Sequence, residues 1–342
     1  MKKDTSMTSA ILPVVIAAHD LLSRCADGSS AGRDFSRLSS GGDRQGGQVW
    51  TGSFALCVVP WLLDLGAYDA AQAFLERLAQ AESAESSGRI PALVVVDAKA
   101  VQAIQRADDR LLPPSLRQGE VSSGAVFNAP CEALSPEIAF LFAAVTYQGR
   151  AGSPLASIQG SVQRVVGRLL KVSGDPDRPI PLSFVDAIVF SQALTSLDAA
   201  NAWRIRDRYI EKNQMPLSDW SRRDSLAPAL LVAFGFDRGR IDLGRLAEGS
   251  GGLLRTNHPL PDSLGGRCAT HPWILSMLIV ALAKKGYWDE SVVQLEALAV
   301  VLRSEGFTLG IDADGSSISV RSDLATAAAF VRAVNAVHGK SA

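Results

Sequence analysis

Two short stretches each carry a pair of aspartates that could do proton chemistry: Asp219-Trp220-Ser221-Arg222-Arg223-Asp224 and Ile311-Asp312-Ala313-Asp314-Gly315. Carboxyl groups can donate or accept a proton at a reacting atom, and an acid and a base acting on opposite sides of a bond come from distant sequence positions. The plainer reading of each Asp is a helix cap or a tight turn. The Asp-x-Asp-Gly run begins like a calcium loop, but the further ligand and the later Glu of that pattern do not follow. His258 and His271 bracket a proline-rich segment, and His271 stands directly before Pro272-Trp273. Trp50, Trp220 and Trp273 lie at predicted loop-helix junctions, whereas Trp61 and Trp288 fall on helices and read as packing.

Other chemistries lack their residues. Cys25, Cys57, Cys131 and Cys268 are scattered without a C-x-x-C spacing or histidines at ligand offsets, so neither zinc nor a disulfide framework is expected. No glycine-rich run has nucleotide-loop context, and no cofactor or metal is expected. A net charge of −1 gives no electrostatic footprint for nucleic acid or an anionic membrane. Lys2-Lys3 before an apolar stretch imitates a signal peptide, but Asp4 and His19-Asp20 flank that stretch and no cleavage site follows. It reads as an amphipathic helix, with Ile11, Val14, Val15, Ala18 and Leu22 on one face, in a cytoplasmic protein without a membrane partner.

The elements that must position these residues are written twice. Leu62-Leu63-Asp64-Leu65-Gly66-Ala67-Tyr68-Asp69 returns 220 residues later as Leu282-Ala283-Lys284-Lys285-Gly286-Tyr287-Trp288-Asp289. Each copy ends a helix at Gly and starts another at Asp, which is an αα-hairpin. Helix pairs are predicted at 50–65 with 69–84, 135–148 with 155–173, 182–195 with 198–212, and 271–285 with 289–305. Further helices are expected at 8–26, 97–110, 224–235 and 322–338, with short strands at 92–96 and 317–320 and a polar loop at 27–48. The exits repeat as well, as Ser87-Gly88-Arg89-Ile90-Pro91 and Ser304-Glu305-Gly306-Phe307. About six such hairpins would form one domain, 1–342, with their loops on one rim around a funnel.

Four stretches carry a family likeness. They are Trp50-Thr51-Gly52-Ser53 with Gly88-Arg89-Ile90-Pro91; Asp219 to Asp224 with Arg240-Ile241-Asp242-Leu243; Leu264-Gly265-Gly266-Arg267 through His271-Pro272-Trp273; and Leu309 to Gly315 with Asp323-Leu324-Ala325-Thr326-Ala327-Ala328. In this order the chain resembles the (α/α)6-barrel glycoside hydrolases of the trehalase, glucoamylase and glycogen-debranching group. That resemblance implies a mainly α fold, an (α/α)6 toroid of paired helices with short β-hairpins in rim loops. It also implies hydrolysis of a small glycoside or oligosaccharide, through inversion by an acid and a base held about 6.5–9.5 Å apart. Asp219 or Asp224 takes the place of the acid, and Asp312 or Asp314 that of the base. Trp50, Arg89, Trp220, Arg222, Arg267, His271 and Trp273 would hold the carbohydrate ligand. The family's basic Glu has no counterpart among residues 310–314. A carbohydrate-binding protein that has lost the base is therefore the second expectation, and a sugar epimerase using His258 and His271 the third.

Overall fold

The computed structural model describes residues 9–26, 48–84, 88–95, 124–126, 134–174, 182–211, 226–237, 253–254, 256, 270–308, 310–312, 316–317 and 323–339. Along the chain run α1 (Ile11–Ala26), β1 (Gln48–Trp50) and a continuous helix α2 (51–64), whose middle, Phe54–Val58, is π-helical. Then come α3 (Tyr68–Ala84), β2 (Leu93–Val95), β3 (Gly124–Val126), α4 (Pro136–Ala151), α5 (Gln159–Gly174) and α6 (Phe184–Leu197). The rest are α7 (199–211, its end the π-helical Arg206–Glu211), α8 (Leu226–Ala233), α9 (Pro272–Lys285), α10 (Trp288–Glu305) and α11 (Leu324–His338). The fold class is mainly α, as expected for a toroid of paired helices. All four predicted pairs are present, as are the helices expected at 8–26, 224–235 and 322–338. The helix expected at 97–110 and the loop at 27–48 lie outside the described residues, apart from the loop's last residue, Gln48. The chain divides into two compact units, a central one (24–214) and a terminal one (1–23 with 215–342).

The repeated hairpin is confirmed in hydrogen-bond detail. Gly66 and Gly286 are left-handed, with φ of 75° and 88°. Gly66 N donates to Leu63 O at 3.1 Å and Ala67 N to Leu62 O at 2.9 Å; Gly286 N donates to Ala283 O at 3.1 Å and Tyr287 N to Leu282 O at 3.0 Å. This is the helix-ending motif that a residue without Cβ permits. A third copy closes α8 at Gly235 (φ 72°), where Phe236 N donates to Leu231 O at 2.8 Å. In one respect the expectation is corrected: Asp69 and Asp289 do not cap. Both sit inside the first helical turn, where they favour the helix through its positive end, and α10 has no side-chain cap at all. A Cβ at Gly66, Gly235 or Gly286 would meet nothing within 4 Å. Alanine at any one of them therefore costs only backbone strain, about 1 kcal/mol, read as a lower denaturation midpoint for each single variant.

Burial extends the repeat beyond the turn. The buried face of α3 is Ala71, Phe74, Leu75, Leu78, Ala79 and Glu82; that of α10 is Ser291, Gln294, Leu295, Leu298, Ala299 and Leu302. Every position matches at the same offset of 220 residues. Both faces carry the helical spacing that buries one stripe. By contrast α8, α9 and α11 are buried nearly all round, so they occupy the interior of the terminal unit. There α9 packs against α8, α10 and α11, while in the central unit α4 packs against α2, α3, α5 and α6.

Glu82 is the charged exception on its face. Its carboxylate accepts from Arg164 Nε at 3.0 Å, Arg164 Nη2 at 2.5 Å and Ser161 Oγ at 2.9 Å, all from α5. Burial alone would raise this carboxyl; the hydrogen bonds from Arg164 and Ser161, with the charges of Arg164 and Arg168, overcome it and hold it below its ordinary 4.5. A lowered acid contributes stability that is complete above the ordinary value and is lost as the pH falls through the folded one. Glu82→Gln is accordingly expected to lower the denaturation midpoint at neutral pH and to flatten its fall below pH 4.5, so that the two profiles converge in acid.

Candidate functional site

Among the described candidates, Trp50, Arg89, His271, Trp273 and Asp312 fall at two corners of the same design, one in each unit. In the central unit β1, β2 and β3 form an antiparallel sheet in that order, pairing Trp50 with Leu93 and Leu93 with Val126. The strand expected at 92–96 is thus present, but β1 and β3 are additions. Thr51 N donates to Ala92 O at 2.9 Å and Thr51 Oγ1 to Pro91 O at 2.7 Å. These bonds tie the start of α2 to the loop carrying Arg89, which is exposed, while Ile90 and Pro91 beside it are buried. Gly88 turns that loop with a φ of 62°.

The terminal unit repeats the arrangement. Thr270 N donates to Ile311 O at 3.0 Å, and Ile311 N to Thr270 O at 2.8 Å. The segment before α9 is thereby bound to the segment that leaves α10, just as the segment before α2 is bound to the one that follows α3. Gly306, with a φ of 79°, turns this exit as Gly88 turns the other. Trp50 and His271 occupy equivalent places: each is the extended residue capping its helix, at φ −77° and −90°, and neither makes a side-chain cap. His271 is buried at 5 % exposure, and its N–H donates to Thr256 Oγ1 at 2.8 Å. Trp273 is buried in the first turn of α9.

Polar side chains outside the candidate site residues hold this corner. Gln294 Oε1 accepts Leu254 N at 2.9 Å, and Thr270 Oγ1 donates to Leu254 O at 2.9 Å. Thr326 Oγ1 donates to Thr308 O at 3.1 Å, and Asp323 caps α11 by accepting Thr326 N at 2.8 Å. Burial pushes the Asp323 carboxyl up, against the hydrogen bonds from Thr326. Gln294 left a signal: it stands on the α10 face at the position where α3 has Phe74.

Asp312 Oδ1 accepts Ser316 N at 2.9 Å, and Asp312 N donates to Ser316 O at 3.0 Å, which makes this residue the closure of a turn. Ile311 also bridges to Ser317, the first residue of the strand expected at 317–320, whose other residues lie outside the described ones. Asp219, Asp224, Asp314, Trp220, Arg222 and Arg267 lie outside the described residues. No group of His, Cys, Asp and Glu among the described residues could hold a metal ion. Nor is any described helix long and apolar enough to cross a membrane.

No protein-family pattern matches this sequence, and none of the curated proteins is similar to it. Solved structures are. One described as a wild-type glycosidase aligns with a TM-score of 0.55 at 14% identity, over 98% of this chain and 99% of its own. A glycosidase variant aligns at 0.56 with the same identity and coverage. Another, in complex with glucose, aligns at 0.52 and 14% identity, over 97% of this chain and 99% of its own. The chain has the fold of these glycosidases. The likeness runs nearly end to end and takes in both units. At this identity it is a statement about backbone architecture, and the residues that bind glucose belong to the other protein.

Proposed function

We propose that this protein is a glycoside hydrolase of the (α/α)6 kind, its 342 residues one toroid domain, acting on a small glycoside or oligosaccharide. The observation that carries the reading is the nearly end-to-end fold match to glycosidases, one of them bound to glucose. The trehalase and glucoamylase group is the assignment favoured by the order of the four sequence stretches. Inversion requires an acid to protonate the leaving oxygen and a base to activate water across the ring. Asp219 or Asp224 serves as the acid and Asp312 or Asp314 as the base. Trp50 and Trp220 offer ring faces to the sugar, with Trp273 buried at the start of α9, and Arg89, Arg222, Arg267 and His271 offer donors to its oxygens. α1 is a helix of the fold, its Ile11, Val14, Ala18 and Leu22 buried, and the cytoplasm is the location we propose.

The test is a panel of mono- and oligosaccharides, screened first by thermal shift and then for products, with the anomer of the released sugar followed by proton NMR. Cleavage giving the inverted anomer supports the whole proposal; the retained anomer keeps the hydrolase and removes the inverting assignment. Asp312 favours a second reading, a carbohydrate-binding protein without turnover, because its carboxylate closes a turn. A sugar that raises the melting temperature and is recovered intact with every preparation decides for that reading.

A further inference from the structure

The buried faces of α3 and α10 agree at an offset of 220 residues, but their outward faces do not. On α10 the outward positions Val293, Ala297, Val300 and Ser304 recur at i, i+4, i+7 and i+11, the spacing of a seam that faces another helix. Val293 and Val300 are 57% and 58% exposed. The same offset on α3 gives Ala73, Arg77, Gln80 and Ala84. The fold position therefore does not require the two exposed valines.

The charges beside the seam differ as well. Glu76 of α3 accepts from Gln72 Nε2 at 3.0 Å and from Ser157 Oγ at 2.8 Å, so its own chain supplies its partners. Its counterpart on α10, Glu296, forms no ion pair among the described residues, and neither does Arg303, seven residues later. At that spacing both flank the seam on the same side. Two copies of such a helix can meet parallel or antiparallel, and the charges choose between them. Parallel pairing would set Glu296 beside the partner's Val301. Antiparallel pairing that seats Ala297 on the partner's Val300, and Val293 on the partner's Ser304, sets Glu296 beside the partner's Arg303. A two-fold axis makes that pair twice, so the face is complementary to itself.

We infer that the outer face of α10 is a docking surface for a second copy of this chain, packed antiparallel about a two-fold axis. The surface is independent of glycoside hydrolysis. α10 has 18 residues and is therefore about 27 Å long, and a contact of one helix from each copy lies at the small end of interface sizes, which makes the dimer weak and reversible. The test is sedimentation velocity of the full chain from about 10 µM to about 1 mM, the range in which a weak contact fills. The wild type is expected to move from monomer towards dimer across this series. Val300→Lys, which puts a charge in the seam, and Glu296→Arg, which sets like charges across it, are each expected to weaken association about tenfold or more. Combining Glu296→Arg with Arg303→Glu restores opposite charges, and association is expected to return to within about threefold of the wild type. Circular dichroism checks that each variant keeps the fold. A wild type that stays monomeric at the highest concentration overturns the inference. So does unchanged association in Val300→Lys and Glu296→Arg, or a double variant that associates no more tightly than Glu296→Arg alone.

Discussion

Asp314→Asn is expected to lower turnover by about 10³-fold on whatever glycoside the wild type cleaves, while Asp312→Asn leaves it within about threefold. The difference follows from what the structure assigns to Asp312. Its Oδ1 receives the Ser316 N–H and its own N–H is given to Ser316 O, so the side chain holds the turn from 312 to 316. Asparagine keeps an acceptor oxygen there and the turn with it. A general base must instead offer its carboxylate to water in the reacting geometry, whereas the Asp312 carboxylate already receives the Ser316 N–H. Steady-state kinetics on purified, folded variants decide the matter. A loss of about 10³-fold in Asp312→Asn alone would transfer the base to Asp312, and unchanged turnover in both would remove this segment from the reaction.

The hairpins were legible in the sequence because their signals are local. A glycine after an apolar run and an aromatic beside an Asp mark the same turn at Gly66 and Gly286, and the six buried positions of α3 and α10 follow at the same offset of 220 residues. The third copy escaped notice because Gly235-Phe236-Asp237 is shorter by a residue and the element after it does not repeat. Strands β1 and β3 were not legible either. Each is three residues long, and both are defined by pairing with β2 across long stretches of chain, a constraint that no local pattern expresses. The equivalence of Trp50 and His271 was hidden for a related reason. Their offset is one residue different from that of the turns, and their neighbours differ, Val49 and Thr51 against Thr270 and Pro272. What makes the two positions alike is backbone hydrogen bonding from the segment that leaves each following helix. The Glu82 cluster shows the converse. Glu82 is visible as a polar residue on an apolar stripe, but the arginines that answer it come from about eighty residues away.

Phe330→Ala is expected to be the most destabilising of the substitutions considered, by about 3–5 kcal/mol. Phe330 has 0% exposure and sits in α11, whose residues from Leu324 to Val331 are all buried. The α9–α11 contact is the most extensive helix pairing of the described residues, so a cavity opened there has close-packed neighbours on every side. Alanine removes a ring's worth of contacts and leaves a space that rigid helices fill poorly, which adds a cavity term to the lost burial. Phe330→Leu, which keeps most of the volume, is expected to cost about 1.5 kcal/mol or less. Val300→Ala provides the contrast: this side chain is 58% exposed on α10, and its truncation should change stability by about 0.5 kcal/mol or less. Urea denaturation of the three variants tests the ranking. A midpoint for Phe330→Ala close to that of Val300→Ala would mean that α11 is not the packed interior helix its burial indicates. The ranking matters for function as well, because His271 and Asp323 are the N-cap residues of α9 and α11, and a corner built on close-packed helices holds its side chains more tightly than one built on loops.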